Sequence, residues 1–216
     1  MNKKSLFFIV LFFGLNSSLI IGQDWAVAVK ASTLGGNIEL YRSFGDQFNA
    51  HVGFNYFSLN QDLEKTDDYE ANADAGLMSF SVLGDFFPFQ YSSFRITGGL
   101  LLNLNEITAV LTPVESYTVG GDIYTPEDLG TLDANIKFNP IAPYIGLGFG
   151  NPTGGGSGFG FTFEVGTMYQ GGSIVDLTAK GLLEPSASED QEKLIEDNLS
   201  WFKWYPVVAL GLTYKF

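Results

Sequence analysis

The carboxyl-terminal stretch of this chain alternates between large apolar side chains and smaller or polar ones. One set consists of Pro206, Val208, Leu210, Leu212, Tyr214 and Phe216, and the other of Val207, Ala209, Gly211, Thr213 and Lys215. Successive side chains of an extended chain point to opposite faces, so this period of two predicts a β-strand. The strand has one strongly apolar face, which must be covered by protein or by lipid.

The same alternation recurs along the chain and predicts eight strands. Their expected ranges are 25–33, 36–44, 48–56, 76–87, 94–105, 140–149, 159–170 and 206–216. An even number of antiparallel strands is typical of single-chain bacterial membrane barrels. The predicted fold class is therefore all-β: an eight-stranded antiparallel up-and-down transmembrane β-barrel with three long outer loops.

The connections between the predicted strands support this topology. Short connections cover 45–47, 90–93 and 151–158, and long ones cover 60–75, 106–138 and 171–203. With the amino terminus in the periplasm, the short turns of such a barrel lie on the periplasmic side and the long loops lie outside. Only the first outer connection, 33–36, is brief.

The last long loop carries a predicted short helix. Ser188 followed by Gln191 matches a capping box, in which the two side chains satisfy backbone N–H groups at a helix start. Apolar residues that would share one helical face are Leu194, Ile195, Leu199 and Phe202. We expect this helix to rest on the barrel mouth or on the lipid rim.

Two kinds of eight-stranded barrel fit the pattern, and the polar face separates them. A soluble barrel of lipocalin type is apolar inside and polar outside, whereas a membrane barrel is the reverse. Here the non-apolar face consists mainly of Gly, Ser, Thr and Asn, and only 16% of all residues are charged. A face in contact with water would be rich in Lys and Glu, so the composition favours a membrane barrel.

The amino-terminal 22 residues have the pattern of a secretory signal peptide. Lys3 and Lys4 precede an apolar run from Leu6 to Leu15, which is too short to span a bilayer as a helix. We expect cleavage just before or just after Gln23. Residues 23–216 would then form the barrel domain.

Composition excludes several classes of function. The chain has no cysteine and a single histidine, His51, so thiol chemistry and multi-histidine metal sites are ruled out. A formal net charge of −13 argues against a nucleic-acid partner. The Gly-rich run 146–160 lacks the phosphate-loop motif, and no nucleophile motif accompanies His51. We therefore expect no enzyme activity, no cofactor and no resident metal site.

Acidic residues concentrate in the three long connections, which hold 19 of the 24 Asp and Glu residues. Their spacing does not match a calcium-binding loop, and solvated loops are the simplest interpretation. A second interpretation is that divalent cations link these carboxylates to the phosphates of neighbouring lipopolysaccharide, because two anions need a cation between them.

Six ionisable side chains fall on the inward face of the predicted strands. They are Lys30, Glu39, His51, Asp85, Arg95 and Glu164. An unpaired charge in a narrow interior costs several kcal/mol, so we expect the two cations to pair with the carboxylates and to plug the lumen. Lys30, Glu39 and Glu164 are expected in one layer, with the other three just below.

Four short motifs carry a resemblance to known outer-membrane proteins. They are Leu212–Phe216, Ala142–Pro152, Phe163–Gly171 and Trp204–Val207. Together with the strand layout over most of 24–216, they resemble the small eight-stranded Gram-negative barrels of OmpW, OmpX and OmpA-barrel type. The resemblance implies an outer-membrane location and an assembly signal at Tyr214 and Phe216 that is recognised by the barrel assembly machinery. It does not imply one activity.

Two functional hypotheses remain open from the sequence. The first is a structural or surface-interaction role of a plugged barrel in contact with outer-membrane lipid and lipopolysaccharide. The second is passage of small hydrophobic molecules, which inward-facing Leu83 and Leu101 mildly favour.

Overall fold

The computed structural model describes residues 24–65, 69–119 and 122–216. The predicted signal peptide, residues 1–22, lies outside the described residues. The strands are β1 (Trp25–Ser32), β2 (Gly35–Ser43), β3 (Phe48–Lys65), β4 (Tyr69–Phe86), β5 (Phe94–Asn103), β6 (Glu106–Pro113), β7 (Tyr117–Val119), β8 (Asp122–Tyr124), β9 (Leu132–Lys137), β10 (Ile141–Phe149), β11 (Gly158–Tyr169), β12 (Ile174–Ala179) and β13 (Trp204–Lys215). The α-helices are α1 (Pro126–Leu129) and α2 (Glu189–Asn198), and two 3-10 segments cover Gly181–Ser186 and Ser200–Lys203.

Eight antiparallel strands pair in a closed ring. The order around the ring is β1, β2, β3, β4, β5, β10, β11 and β13, and β13 pairs again with β1. These are the eight strands that the alternating pattern predicts, so the all-β antiparallel class is confirmed. Within the described residues, no helix is long and apolar enough to cross a membrane.

The expectation of three long outer loops is wrong: the first two long connections are mostly strand, and the third contains the strand β12 followed by helical segments. β3 and β4 continue as a hairpin beyond the ring, and β6, β9 and β12 join the edge of β4 in that order. The main sheet therefore has eleven strands. We call the part formed by β6, β9, β12 and the outer halves of β3 and β4 the outer sheet.

The predicted helix is present as α2, but it ends at Asn198, before the expected face residues Leu199 and Phe202, and its capping box is not formed. Ser188 is the N-cap residue, and its side chain makes no capping hydrogen bond. Its backbone carbonyl instead accepts from the N–H groups of Gln191 and Glu192. A capping box forms at α1, where Thr125 and Asp128 satisfy each other's backbone N–H groups. The hydrogen bonds from Thr125 hold the pKa of the Asp128 carboxyl below its usual range.

Helix α2 lies along the free edge of β12. The Glu196 carboxylate accepts a hydrogen bond from the Val175 N–H at 3.0 Å, and Glu192 accepts from the Leu177 N–H at 2.9 Å. Glu192 and Glu196 lie one helical turn apart, which matches residues i and i+2 on the strand. The helix therefore satisfies backbone groups that an edge strand would otherwise expose.

The two faces of the ring are those the alternation predicts. On β13, Leu210 and Leu212 point outward and are exposed, whereas Val207 and Ala209 point inward and are buried. Exposed aromatic and aliphatic side chains continue around the outer surface, including Val52, Phe80 and Phe161. The ring is thus apolar outside and polar inside.

Candidate functional site

The interior of the ring begins on its β1–β2 side with a buried ion pair. Lys30 and Glu39 are 4% and 6% exposed, and the Lys30 Nζ lies 2.6 Å from Glu39 Oε2. The Tyr41 hydroxyl, two residues along β2 from Glu39, donates a hydrogen bond to the same carboxylate oxygen. The ammonium also lies 5.5 Å from the centre of the Tyr41 ring.

His51 joins this pair to a second carboxylate. Its Nδ1 lies 3.4 Å from Glu39 Oε2, and its Nε2 lies 3.5 Å from Asp85 Oδ1. The imidazole stacks on the Tyr41 ring with 4.3 Å between the ring centres. Both ring nitrogens face carboxylates, so neither is directed at a hydroxyl nucleophile as a catalytic base would be.

Arg95 occupies the far side of the lumen and is completely buried. Its Nε lies 3.2 Å from Asp85 Oδ1, and its Nη2 lies 2.6 Å from Glu164 Oε2. Nη1 donates to Thr162 Oγ1 at 2.9 Å and to the carbonyl of Gly150 at 2.7 Å. The guanidinium therefore has partners from three strands or turns around the ring.

A glycine makes room for this guanidinium. A Cβ at Gly148 would lie 2.8 Å from the Arg95 Cζ, which is closer than non-bonded atoms approach. Any side chain at this position would displace the guanidinium. The run of glycines near the end of β10 thus serves close packing inside the ring.

The six inward residues form one continuous chain of charge contacts. The order is Lys30, Glu39, His51, Asp85, Arg95 and Glu164. Glu164 contacts Arg95, and it also lines one small cavity together with Lys30 and Glu39. Strand stagger in a closed ring sets the levels of these side chains, and counting residues along single strands does not include it.

The neutral hydrogen-bond partners of these charges were not among the residues predicted from the sequence. Thr97 donates to Asp85 Oδ1 at 2.6 Å, and the Tyr144 hydroxyl donates to Glu164 Oε1 at 2.6 Å. Tyr41, Thr97 and Thr162 each lie two residues from a charged member on the same strand. That spacing places them on the inward face and was a usable signal.

An apolar layer closes the lumen on the side of the long connections. Its buried members are Leu34, Leu83, Leu101, Ala142, Tyr144, Met168 and Val207, and Tyr205 packs against them. A cavity of about 30 Å³ lies between this layer and the Lys30–Glu39 pair. At the other end of the lumen, Thr153 Oγ1 donates to Asn49 Oδ1 at 2.7 Å, and Asn49 donates to Asn151 at 3.2 Å.

The outer sheet reverses the polarity of the ring from which it grows. Its outward face, which continues the apolar outside of the ring, carries one register row of polar residues: Asn60, Asp74, Thr108, Asn135 and Asp176. Its inward face carries apolar rows, of which one is Leu59, Ala75, Ile107, Ile136 and Val175. The sheet is therefore polar outside and apolar inside.

The acidic residues of the long connections are partly organised by this sheet. The Asn135 side chain donates a hydrogen bond to Glu106, and the Lys137 ammonium lies 3.4 Å from the same carboxylate. These two contacts hold the pKa of Glu106 below its usual range. Among the residues described, no three acidic or histidine side chains are arranged to hold a metal ion.

The proposed assembly residues lie at the end of β13. The Tyr214 ring packs edge-on against Phe159 and Phe216, with 5.0 and 5.5 Å between ring centres. The Phe216 N–H donates to the carbonyl of Trp25 at 3.2 Å, which links the two ends of the described chain.

No protein-family model and no curated protein matches this chain. Solved structures do match: Acinetobacter baumannii CarO is 19% identical with a TM-score of 0.57, over 88% of this chain and 97% of that one. A. baumannii CarO2 is 19% identical with a TM-score of 0.60, over 89% of this chain and 98% of that one. These are outer-membrane β-barrel proteins, so the resemblance drawn from the sequence motifs is confirmed at the level of the fold.

Proposed function

We propose that this protein is an integral outer-membrane barrel with a closed lumen, which presents the outer sheet at the cell surface for a structural or surface-interaction role. The ring crosses the membrane, the short turns and both ends of the described chain lie in the periplasm, and the outer sheet lies in the external medium. Outer-membrane lipid and lipopolysaccharide are its immediate partners.

The observation that carries this proposal is the reversal of polarity along β3 and β4. Near the ring, the outward side chains of these strands are apolar, such as Phe54 and Val82, and Val82 is 66% exposed. Further along the same face they become Asn60 and Asp74. A single strand face that changes from apolar to polar marks the level at which lipid ends and water begins.

The length of the apolar part also supports the proposal. The apolar part of β3 covers nine residues, Phe48 to Tyr56, which fits the 9–11 residues that a tilted strand needs to cross the hydrocarbon core.

Arginine substitution on the outward face tests the membrane level. Leu210→Arg puts a charge in the apolar belt and is expected to lower barrel stability by about 2–4 kcal/mol. Thr108→Arg is the matched control, because Thr108 lies on the same outward face above the belt. Heat-modifiable migration on detergent gels in a urea series measures both variants. Equal tolerance of the two substitutions would contradict the proposed membrane position.

Single-channel recording tests the closed lumen. The chain of buried charge contacts and the apolar layer above it leave a cavity of about 30 Å³ within the lumen, roughly the volume of one water molecule. The purified protein in a planar bilayer is therefore expected to show no steady conductance. A large and stable conductance would overturn the plugged barrel and favour transport.

A second candidate function is passage of small hydrophobic molecules across the outer membrane. It is favoured by the apolar inward face of the outer sheet, which leads to the apolar layer at the mouth of the ring. Because the charged residues lie below this layer, such a molecule would have to leave sideways into lipid. Ala109→Asp on the inward face should then reduce uptake of a hydrophobic fluorescent probe by cells, whereas Thr108→Asp on the outward face should not.

A further inference from the structure

A polar cavity of about 790 Å³ lies at the turn end of the ring, opposite the outer sheet. Its walls come from the turns after β2, β4 and β10, from Asp24 just before β1, and from Lys215 at the end of β13. A cavity of this volume is in the range that accommodates small molecules. It is separate from the charged residues of the lumen.

The inner end of this cavity is closed. Asn151 and Thr153 line it, and they are joined to Asn49 by hydrogen bonds of 2.7 to 3.2 Å. Behind them, Arg95 is fixed to the carbonyl of Gly150 at 2.7 Å. The cavity is therefore a blind pocket, which suits binding better than passage.

The wall offers uncharged hydrogen-bonding groups. Gln47, Gln90 and Ser93 line the cavity with exposed side chains that form no hydrogen bond among the described residues. Each amide supplies two donors and one acceptor oxygen. Such groups match hydroxyl and acetamido substituents, which likewise carry both donors and acceptors.

Two exposed aromatic side chains stand at the cavity. Phe89 is 61% exposed and Tyr91 is fully exposed at 106%. Tyr91 has φ = 64°, a left-handed backbone conformation that is uncommon for a residue with a Cβ. Strain of this kind often accompanies a functional site. A flat aromatic face is a suitable platform for the C–H face of a sugar ring, and the strained turn holds one there.

The charges at the cavity disfavour a polyanion. Asp24 and Asp46 supply two carboxylates, while the Lys215 ammonium already donates to the carbonyl of Gly155 at 2.6 Å. A ligand with little net negative charge and many hydroxyl and amide groups fits this balance.

We propose that this pocket binds a glycan of N-acetylated amino sugars. Tyr91 stacks on a sugar ring, and Gln47 and Gln90 bind its hydroxyl and acetamido groups. The identity of the glycan rests on the proposed function, which puts the turns of the ring in the periplasm. The polymer of N-acetylated amino sugars in that compartment is the glycan strand of peptidoglycan.

Binding is measured with the purified full chain in detergent, by calorimetry with the N-acetylglucosamine trimer and with a peptidoglycan disaccharide-tetrapeptide. Tyr91→Gly removes the ring and also relieves the backbone strain, so it should preserve or raise stability while weakening binding about tenfold. Gln47→Ala with Gln90→Ala should weaken binding similarly. Gln61→Ala, an amide at the opposite end of the molecule, is the control and should leave binding unchanged.

Three results would overturn the proposal. They are no saturable binding up to about 10 mM sugar, unchanged affinity in Tyr91→Gly, and binding of the free tetrapeptide that equals binding of the disaccharide-tetrapeptide.

Failure of the proposed function can be distinguished from failure of glycan binding, because binding in detergent does not depend on orientation in the cell. Ser93→Cys and Thr178→Cys are labelled on whole cells with an impermeant maleimide. Label on Thr178→Cys alone supports the periplasmic position, and label on Ser93→Cys overturns peptidoglycan as the ligand.

Discussion

At the scale of single residues, the interior of the ring shows how a small barrel accommodates charge. Each ionised side chain there has a partner of opposite sign, and tyrosine or threonine hydroxyls occupy further lone pairs of the carboxylates. Burial of an ion pair is not by itself strongly stabilising. Removal of one member is costly, however, because it leaves the other charge buried without compensation.

Lys30 is a suitable residue for measuring the cost of removing one partner of a buried ion pair. Lys30→Ala leaves Glu39 without its ammonium partner at 2.6 Å, and we expect it to destabilise the barrel by about 3–5 kcal/mol. The double variant Lys30→Ala with Glu39→Gln removes both charges and should recover part of this loss. The urea midpoint of unfolding in detergent reports both variants.

The matched control is Lys215→Ala, because the Lys215 side chain is at the surface and bonds only a carbonyl among the described residues. It should change the midpoint little. If Lys30→Ala unfolded at the same urea concentration as Lys215→Ala, the lumen charges would not contribute to stability as proposed.

At the scale of elements, helix α2 completes the outer sheet. An exposed edge strand can pair with another chain, and natural proteins cover or charge such edges. Here Glu192 and Glu196 accept from the backbone N–H groups of β12. The carboxylates thus act as substitutes for the carbonyls of a missing strand.

Replacing both carboxylates tests this role of the helix. Glu192→Ala with Glu196→Ala should free the β12 edge, so that α2 becomes sensitive to protease and the purified protein self-associates. Glu189→Ala with Asp190→Ala removes the same charge from exposed positions of the same helix and is the control. Light scattering and limited proteolysis measure the difference. Identical behaviour of the two double variants would show that charge alone matters.

The last strand supports a separate prediction about assembly. The Phe216 ring packs against Tyr214, the last aromatic residue of β13, and its backbone N–H donates a hydrogen bond to the carbonyl of Trp25. If the barrel assembly machinery recognises Tyr214 and Phe216, deletion of Phe216 should lower the amount of folded protein in the outer membrane. The purified variant should still refold in detergent, because the ring pairing remains. Normal membrane levels after the deletion would contradict the assembly role.

At the scale of the whole molecule, the ring and the outer sheet have opposite polarity, yet β3 and β4 run through both. β3 and β4 are continuous from the ring into the outer sheet, whereas the chain breaks between β5 and β6. At this break the Met78 N–H of β4 donates to the side chain of Asn105, at 3.0 Å from Oδ1. The outward side chains of the ring are apolar and suit contact with lipid, whereas those of the outer sheet are polar and suit contact with water. In the orientation proposed above, the acidic residues of the outer sheet would face the lipopolysaccharide layer.

This placement leads to a prediction about divalent cations. Asp62, Asp74 and Asp176 lie on the outward face of the outer sheet, and we propose that calcium or magnesium links such carboxylates to lipopolysaccharide phosphates. Chelation in outer-membrane vesicles should speed protease cleavage of the outer connections while the ring stays intact. The same protein in detergent without lipopolysaccharide is the control and should not respond. Equal cleavage rates in vesicles with and without excess magnesium would refute the link.

The ring of eight strands is predictable from the amino-acid pattern. Period-two alternation is a local property of each strand, and one buried or lipid-covered face fixes its register, since a shift by one residue would turn every apolar side chain inward. For this reason the eight strands, their faces and the inward position of residues such as Lys30 and Arg95 could be predicted from the pattern.

The strands that join the outer sheet and the pairing of the buried charges depend instead on contacts between segments that are distant in sequence. The segments of β6, β9 and β12 are only six to eight residues long and each contains an acidic residue, so their sequences do not show the clear apolar alternation of the ring strands. They become strands because β4 extends past the ring and offers an edge to β6, which in turn pairs with β9, and β9 with β12. Glu164 meets Arg95, and Lys30 meets Glu39, because closing the ring sets the stagger between strands that are distant in sequence, and no local pattern encodes that stagger.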